Sequence, residues 1–301
     1  MANILDGNAL AKSIRNKVKA QVAGMASPPG LAVIIVGDDP ASRIYVDAKK
    51  KNCKTCGIIS HEFALPADVC EDKLLDLVHE LNRRSDIHGI LVQTPLPAGI
   101  NPQKVIQAIS PNKDVDAFHM LNAGRILYGE YGFLPCTPAG VIALLDHYGI
   151  DPKGKHAVVV GHSNVVGKPM AMMLLHGHAT VTICHVHTVD LAAFTRQADI
   201  LVCAVGKIGL ITADMVKPGA VVVDVGINRK EDGKVCGDVD FDGVSKVASY
   251  ISPVPGGVGP MTRAMLMQNT ANAAEICEGT AGFTAKDERI SGLSHKSGTF
   301  Q

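Results

Sequence analysis

The chain carries no excess of charge of either sign: 29 Lys and Arg stand against 29 Asp and Glu over 301 residues. Nucleic acid and anionic membranes are therefore not expected as main partners, since neither would meet a basic surface. No run of about 20 apolar residues occurs, so no membrane-spanning helix is expected. The opening stretch MANILDGNALAKSIRNKV also lacks the apolar run of a signal peptide. Cysteine is sparse, at eight residues, too few for a disulfide scaffold in a chain of this length. Most of the cysteines sit in apolar stretches, as Cys184 and Cys203 do, where a reduced thiol behaves as a small hydrophobe. Together these absences point to the cytoplasm. Internal repeats and low-complexity runs are missing as well.

What remains is the composition of a globular protein, 47% hydrophobic and 19% charged, and long enough for two domains. Short apolar runs at 31–36, 89–93, 157–160, 180–184, 200–205 and 220–225 read as buried strands. Amphipathic stretches at 71–82, 137–147, 168–176 and 189–197 separate them. Strand and helix in alternation predict parallel sheets covered on both faces, an α/β class. Glycine and proline gather in YGEYGFLPCTP near residues 128–137, a candidate domain boundary. The end of the chain, 281–301, has no periodicity and is expected to be a loose tail.

The stretch SRIYVDAKKKNCKTCGI, residues 42–58, combines three lysines with a CxxC pair. Asp39 followed by Pro40 predicts a helix start, with Asp as N-cap and Pro in the first turn. At 100° per residue, Ser42, Tyr45, Lys49, Cys53 and Cys56 share an arc of about 80°, while Lys50 and Lys51 rotate away. Lys49 alone thus shares a face with a hydroxyl and a phenol. A lone lysine is usually a solvated surface residue. The two thiols could bind metal or cycle redox, but no second pair supplies further ligands, so no metal is expected and the thiols read as buried filling.

In the second half, HAVVVGHSNVVGKPM (156–170) is a strand, a glycine turn and a helix, the setting in which a dinucleotide pyrophosphate meets backbone N–H groups. The spacing Gly161-x-Ser163-x-x-x-Gly167 departs from GxGxxG, and such turns often serve packing alone. The following strand ends in His185-Val186-His187 with no Asp or Glu to hold an NAD ribose, which favours NADP with NAD as the alternative. In YISPVPGGVGPMT, prolines and glycines crowd the stretch before a Met-rich helix, as where backbone must approach something closely.

Several motifs in order carry a family resemblance: Ser42-x-x-Tyr45-Val-x-x-x-Lys49, GILVQTPLP (89–97), PNKDVDAFH (111–119), PCTPAG (135–140), GHSNVVGKPM (161–170), VVVDVGIN (221–228), GDVDF (237–241) and SPVPGGVGPMT (252–262). Over roughly residues 1–280 the chain resembles the bacterial bifunctional methylenetetrahydrofolate dehydrogenase/methenyltetrahydrofolate cyclohydrolases. The resemblance implies a substrate domain of residues 1–120 plus about 260–280, and a Rossmann-type doubly wound parallel sheet over 137–258. It implies a cleft between the two and a homodimer. Folate and NADP are the implied ligands, in the interconversion of 5,10-methylene-, 5,10-methenyl- and 10-formyltetrahydrofolate.

Carried over by position, Lys49 is the catalytic lysine, Gln93 its hydrogen-bond partner, and Tyr45 lies on the folate ring system with Ser42 helping to place them. Asp116 anchors the pterin, whose ring N–H and amino donors suit a carboxylate. Pro255 and Gly256 border folate, with Gly259 and Thr262 toward the nicotinamide. Gly161, His162, Ser163, Val186, His187 and Ile227 complete the cofactor set. The chain departs from the family at His162, where many members carry Arg, and at Val186, Thr94, Ala117 and Arg263, usually a polar residue, Leu, Gly and an apolar residue respectively. Two rival readings, another NAD(P) dehydrogenase on this plan and a non-catalytic folate or nucleotide binder, leave the Tyr45–Lys49 helix, Gln93 and Asp116 without a purpose.

Overall fold

The computed structural model describes residues 1–277 and 279, so the expected tail at 281–301 lies outside the described residues. In chain order the elements are β1 (Asn3–Ile4), α1 (Gly7–Ala23), β2 (Gly30–Val36), α2 (Pro40–Cys56), β3 (Ile59–Leu65), α3 (Glu71–Arg83), β4 (Gly89–Val92), α4 (Pro102–Ala108), α5 (Met120–Tyr128) and α6 (Cys136–His147). The second half continues with β5 (His156–Val160), α7 (Gly167–His176), β6 (Thr180–Cys184), α8 (Leu191–Thr195), β7 (Ile200–Cys203) and β8 (Val221–Asp224). It ends with β9 (Asn228–Arg229), β10 (Val235–Cys236), α9 (Phe241–Val244), β11 (Tyr250–Ile251) and α10 (Val258–Cys277). No helix among the described residues is long and apolar enough to cross a membrane.

Two units form. Among the described residues, one comprises Ala11–Cys136 and 262–277; the other comprises Met1–Leu10 and Thr137–Met261. In the first, β2 is flanked by β3 and β4, both parallel to it. All seven residues of β2 are buried, as the apolar run GLAVIIV requires of a central parallel strand. Ala32, Ile34 and Val36 join Leu74, Val78 and Leu81 of α3 and Val105 of α4 in one core. Strand β3 was not legible as an apolar run, because it is the half-exposed edge and reads ISHEFAL.

In the second unit six strands lie in the order β1-β11-β8-β7-β5-β6, every pairing parallel. From β5 the chain goes outward to β6 and then returns to β7 on β5's other side. Strand order therefore reverses at β5, and ligands of doubly wound sheets bind beyond the carboxyl ends of strands at such a point. The first strand, β1, closes the far edge of this sheet, so residues 1–10 group with it and not with the rest of 1–120. A two-residue strand leaves no periodicity by which to assign it.

Loop anchoring in the first unit depends on one buried cation. Lys113 Nζ donates to Leu81 O (3.2 Å) and Arg84 O (2.6 Å), satisfying carbonyls at the carboxyl end of α3. Lys113→Met leaves Arg84 O without this donor and Leu81 O with the Arg84 N–H alone (3.3 Å), and should lower stability by roughly 1–3 kcal/mol. Urea denaturation followed by circular dichroism measures it; an unchanged midpoint would mean that water replaces the amine at no cost.

Candidate active site

Helix α2 begins as its sequence requires. Asp39 accepts the Ser42 N–H (2.8 Å), Pro40 opens the first turn, and Gly57 ends the helix at φ 78°. Ser42 is thereby buried at the first turn, Cys53 and Cys56 are buried at the other end, and Lys49 lies half-buried between them. Tyr45 is exposed. Lys50 turns outward and pairs with Glu62 of β3, which also takes Arg43. Cys56 is the last helical residue, not one deep inside the helix, because the left-handed Gly57 stops the turn there. Burial pushes the Cys53 thiol up to about 12 and Cys56 to about 11, the reverse of a reactive pair. Among the described residues no cluster of three or more His, Cys, Asp or Glu is placed to hold a metal ion.

Lys49 Nζ donates to Gln93 Oε1 at 2.9 Å, and Gln93 Nε2 donates to the adjacent Thr94 O at 2.8 Å. The amide is thus oriented with its oxygen toward the amine. Burial lowers the lysine from its ordinary value, opposed chiefly by the Asp116 charge, while the Arg263 charge lowers it further. Asp116 is affected in the opposite sense: burial raises its carboxyl, and the Lys49 charge draws it back. Among the described residues the two form no ion pair within 4.0 Å.

The loop carrying Asp116 is held from three sides. Asp114 Oδ2 accepts His119 N–H and Asn122 Nδ2, both at 2.8 Å. Asn269 of α10 donates to Val115 O (2.8 Å) and Leu134 O (2.9 Å), and Cys136 lies against the same strand of chain. Ala117 adopts φ 57°, a left-handed conformation that glycine takes without strain. Asn269 and Cys136 were absent from the expected site; PCTPAG was visible as a motif, but nothing in it shows that the thiol faces Asp116. Thr262 begins the α10 segment of this unit, and Arg263 beside it is half-buried.

The other expected residues fall in the six-stranded unit. Gly161, His162 and Ser163 form the turn after β5, with Ser163 Oγ accepting Val166 N–H (3.1 Å) and Gly167 N–H (3.3 Å). A Cβ on Gly167 would lie 2.0 Å from Gly161 O, and one on Gly161 would lie 2.3 Å from Ala204 O. Both glycines are required by close packing of the turn on α7 and on the end of β7. The same packing leaves His162, Ser163, Asn164 and Val165 exposed. Val186, Val205, Ile208 and Ile227 are also exposed beyond the strand ends, an apolar rim suited to flat rings. These residues fit a dinucleotide. Pro255 is exposed and Gly256 sits at φ 112°. Gly256 O accepts the Gly7 N–H at 2.9 Å, so part of that loop's constraint comes from packing on α1. A Cβ on Gly259 would stand 4.0 Å from Ile227, an ordinary contact.

Two buried carboxylates, outside the expected set, organise these strand ends. Asp238 accepts Val205 N–H (2.7 Å), Gly206 N–H (3.1 Å), Lys207 N–H (2.8 Å) and Asn228 Nδ2 (2.8 Å). Asp224 accepts Gly226 N–H (2.9 Å), Asp238 N–H (3.0 Å) and Val239 N–H (2.9 Å). The turns after β7 and β8 are therefore tied to one loop, and Ile227 is set by them. Burial pushes the Asp224 carboxyl up to about 6, against the pull of those N–H donors. The fold then holds that proton more tightly than the unfolded chain, so this group's contribution to stability falls as pH rises from about 4 to about 6. Removing the charge in Asp224→Asn should erase that slope. Compared by thermal melts, wild type should gain on the variant by up to about 3 kcal/mol between pH 7 and pH 4. Parallel curves would show that Asp224 titrates normally.

Residues 5–116 match the tetrahydrofolate dehydrogenase/cyclohydrolase catalytic domain and residues 135–278 the NAD(P)-binding domain of the same family. The bifunctional protein FolD of Variovorax paradoxus is 58% identical over 277 residues, 91% of this chain and 98% of its own length. Among solved structures, the FolD methylenetetrahydrofolate dehydrogenase/cyclohydrolase of Campylobacter jejuni superposes with a TM-score of 0.90 at 50% identity, over 92% of this chain and 99% of that one. The Trypanosoma brucei FolD, solved with NADP cofactor and an inhibitor, gives a TM-score of 0.88 at 38% identity, over 91% and 98%. The catalytic and NAD(P)-binding domains follow one another as in those proteins, and the chain belongs to the tetrahydrofolate dehydrogenase/cyclohydrolase family.

Proposed function

We propose that the chain oxidises 5,10-methylenetetrahydrofolate to the 5,10-methenyl form with NADP⁺ and hydrolyses that product to 10-formyltetrahydrofolate. The observation that carries this reading is the half-buried Lys49 amine held at 2.9 Å by Gln93, on the same helix as Tyr45 and within reach of the Asp116 charge. The smaller-sheet unit is the folate-binding catalytic domain and the six-stranded unit binds the dinucleotide.

Asp116 takes the pterin donors, and Tyr45, exposed on α2, offers its ring to the folate ring system. Ser42 holds the start of that helix. Pro255 and Gly256 border the folate; Gly161, His162, Ser163, Val186, His187, Ile227, Gly259 and Thr262 receive the dinucleotide. When bound, the nicotinamide supplies a hydride acceptor for the methylene carbon. Among residues following β6 no acid stands before Asp190, which favours NADP over NAD. A homodimer in the cytoplasm completes the reading, as the resemblance implies.

Hydrolysis is the step that needs the lysine. As water adds to the methenyl carbon, neutral Lys49 takes one of its protons, and Gln93 keeps the amine lone pair turned toward the water. The carbon–N5 bond then breaks as the remaining hydroxyl proton leaves the oxygen and is delivered to N5, leaving the formyl group on N10. Burial favours the neutral amine, and the cationic substrate adds to that push. Hydrolysis should therefore rise with pH until the lowered lysine value is passed.

Lys49→Arg keeps the charge but cannot deprotonate. It should slow methenyltetrahydrofolate hydrolysis by about 10²-fold or more while folate binding, followed by fluorescence titration, stays measurable. Hydrolysis at the wild-type rate in this variant would contradict the assigned role.

A further inference from the structure

In the smaller-sheet unit, α1 and α10 carry cations for which the mechanism has no use. Helix α1 reads GNALAKSIRNKVKAQVA, with Lys12, Arg15, Lys17 and Lys19 and no acid. Helix α10 carries Arg263 near its start and a single acid, Glu275, near its end. At 3.6 residues per turn, Lys12, Arg15 and Lys19 stand at i, i+3 and i+7 and share one face, while Lys17 turns away. Lys12 and Lys19 are exposed; Arg15 and Arg263 are half-buried.

The helices pack so that these cations converge. Gln21 Nε2 of α1 donates to Glu275 Oε1 (2.9 Å) and Asn272 Oδ1 (3.4 Å) of α10, and Gln268 Nε2 donates to Gln21 Oε1 (2.9 Å). Cys56 Sγ, at the end of α2, donates to Arg15 O (3.7 Å). Helix α1 thus touches both α10 and α2. The Arg15 and Lys19 charges both reach the Cys56 thiol, and the Arg15 charge also reaches Arg263. Among the described residues no carboxylate pairs with either guanidinium within 4.0 Å. Half-buried cations without a counter-charge are costly. Burial lowers Arg263 from its ordinary value and the Arg15 charge lowers it further, with Tyr45 acting in the other direction. An incoming carboxylate relieves both arginines.

The order of charges along the site gives the ligand its direction. Lys49 feels the charges of Asp116 and Arg263, and Arg263 those of Arg15 and Tyr45. From Asp116 the series is therefore acid, amine, phenol ring and two guanidiniums. A folate is polarised in the same order: a pterin with N–H donors, the reacting N5 and N10, an aromatic p-aminobenzoyl ring, then the carboxylates of glutamate. Guanidinium presents a planar fork of donors that matches a carboxylate with two bonds. Each γ-linked glutamate added to the tail brings one more carboxylate, and Lys12 and Lys19 flank Arg15 on its face of α1.

We propose that Arg263 and Arg15 bind the carboxylates of the folate's glutamate tail, and that Lys12 and Lys19 extend them into a site for γ-linked oligoglutamate, so that the chain prefers polyglutamylated folates. This rests on the folate reading of the smaller-sheet unit. Attraction between exposed lysines and carboxylates is screened by salt, whereas the half-buried guanidiniums are screened less. The gain from added glutamates therefore falls with ionic strength, and the contribution of the first glutamate persists.

Isothermal titration of the purified chain with 5-formyltetrahydrofolate carrying one, three or five glutamates tests this with a one-carbon unit that is neither methylene nor methenyl. Affinity should rise roughly tenfold from the shortest tail to the longest at low salt, and the rise should shrink at high salt. Arg15→Gln/Arg263→Gln should weaken the monoglutamate roughly three- to tenfold and lose most of the rise. Lys12→Gln/Lys19→Gln, at two exposed positions outside the core, should reduce the rise and its salt dependence. Equal affinity for the three tails in wild type, or an undiminished rise in either double variant, overturns the tail proposal and leaves the folate reading standing. Failure of every tail length to bind the wild-type chain would overturn that reading, and the proposal with it.

Discussion

An amine withdrawn from water is the constraint on which the site depends. Lys49 could lie along the surface of α2, as Lys50 does against Glu62, and its chemistry would then be that of an ordinary ammonium. Instead the capped start of α2 and its two buried thiols fix the rotation of the helix, so that Lys49 is carried inward to Gln93. Withdrawal from water lowers the lysine and raises Asp116, and each charge partly restores the other. The elements that hold the Asp116 loop, Asp114 with its two donors and Asn269 bridging two carbonyls, serve this balance, since a shift of the acid would change the amine.

The six-stranded unit meets a different requirement. Its turns must stay open to a ligand and still keep their shape, and loops with exposed side chains do so only when their backbone is tied elsewhere. Glycine contacts tie the turn after β5 to the end of β7, and the carboxylates of Asp224 and Asp238 tie the turns after β7 and β8 to a third loop. Seven N–H donors on two buried acids compensate much of the cost of enclosing them. Exposed valines and isoleucines beyond the strands then offer apolar surface on a rigid frame.

How far the sequence alone could be read follows from where each signal lies. Apolar runs such as GLAVIIV and HAVVV announced buried parallel strands, and Asp39-Pro40 announced a helix start, because each signal is local. The arc shared by Ser42, Tyr45 and Lys49 singled out one lysine of three for the same reason. Two edge strands escaped: β3 is half polar because one face meets water, and β1 has two residues. The Asp224–Asp238 pair also escaped, since two acids 14 positions apart meet only after the β9–β10 ribbon folds back. The glycines looked like ligand-binding residues, whereas several of them answer first to packing. Family motifs supplied the residue roles that no periodicity could.

In the proposed reading the fold keeps Lys49 poised as a neutral base. Its most direct test is a titration of the Lys49 amine itself, by NMR of ¹⁵N-lysine-labelled protein with Lys49→Arg used to assign the signal. A neutral base requires a midpoint clearly below the ordinary lysine value of 10.5, the direction in which burial shifts it. A midpoint at or above that value would mean that Asp116 outweighs burial, and that the amine is a fixed cation rather than a base.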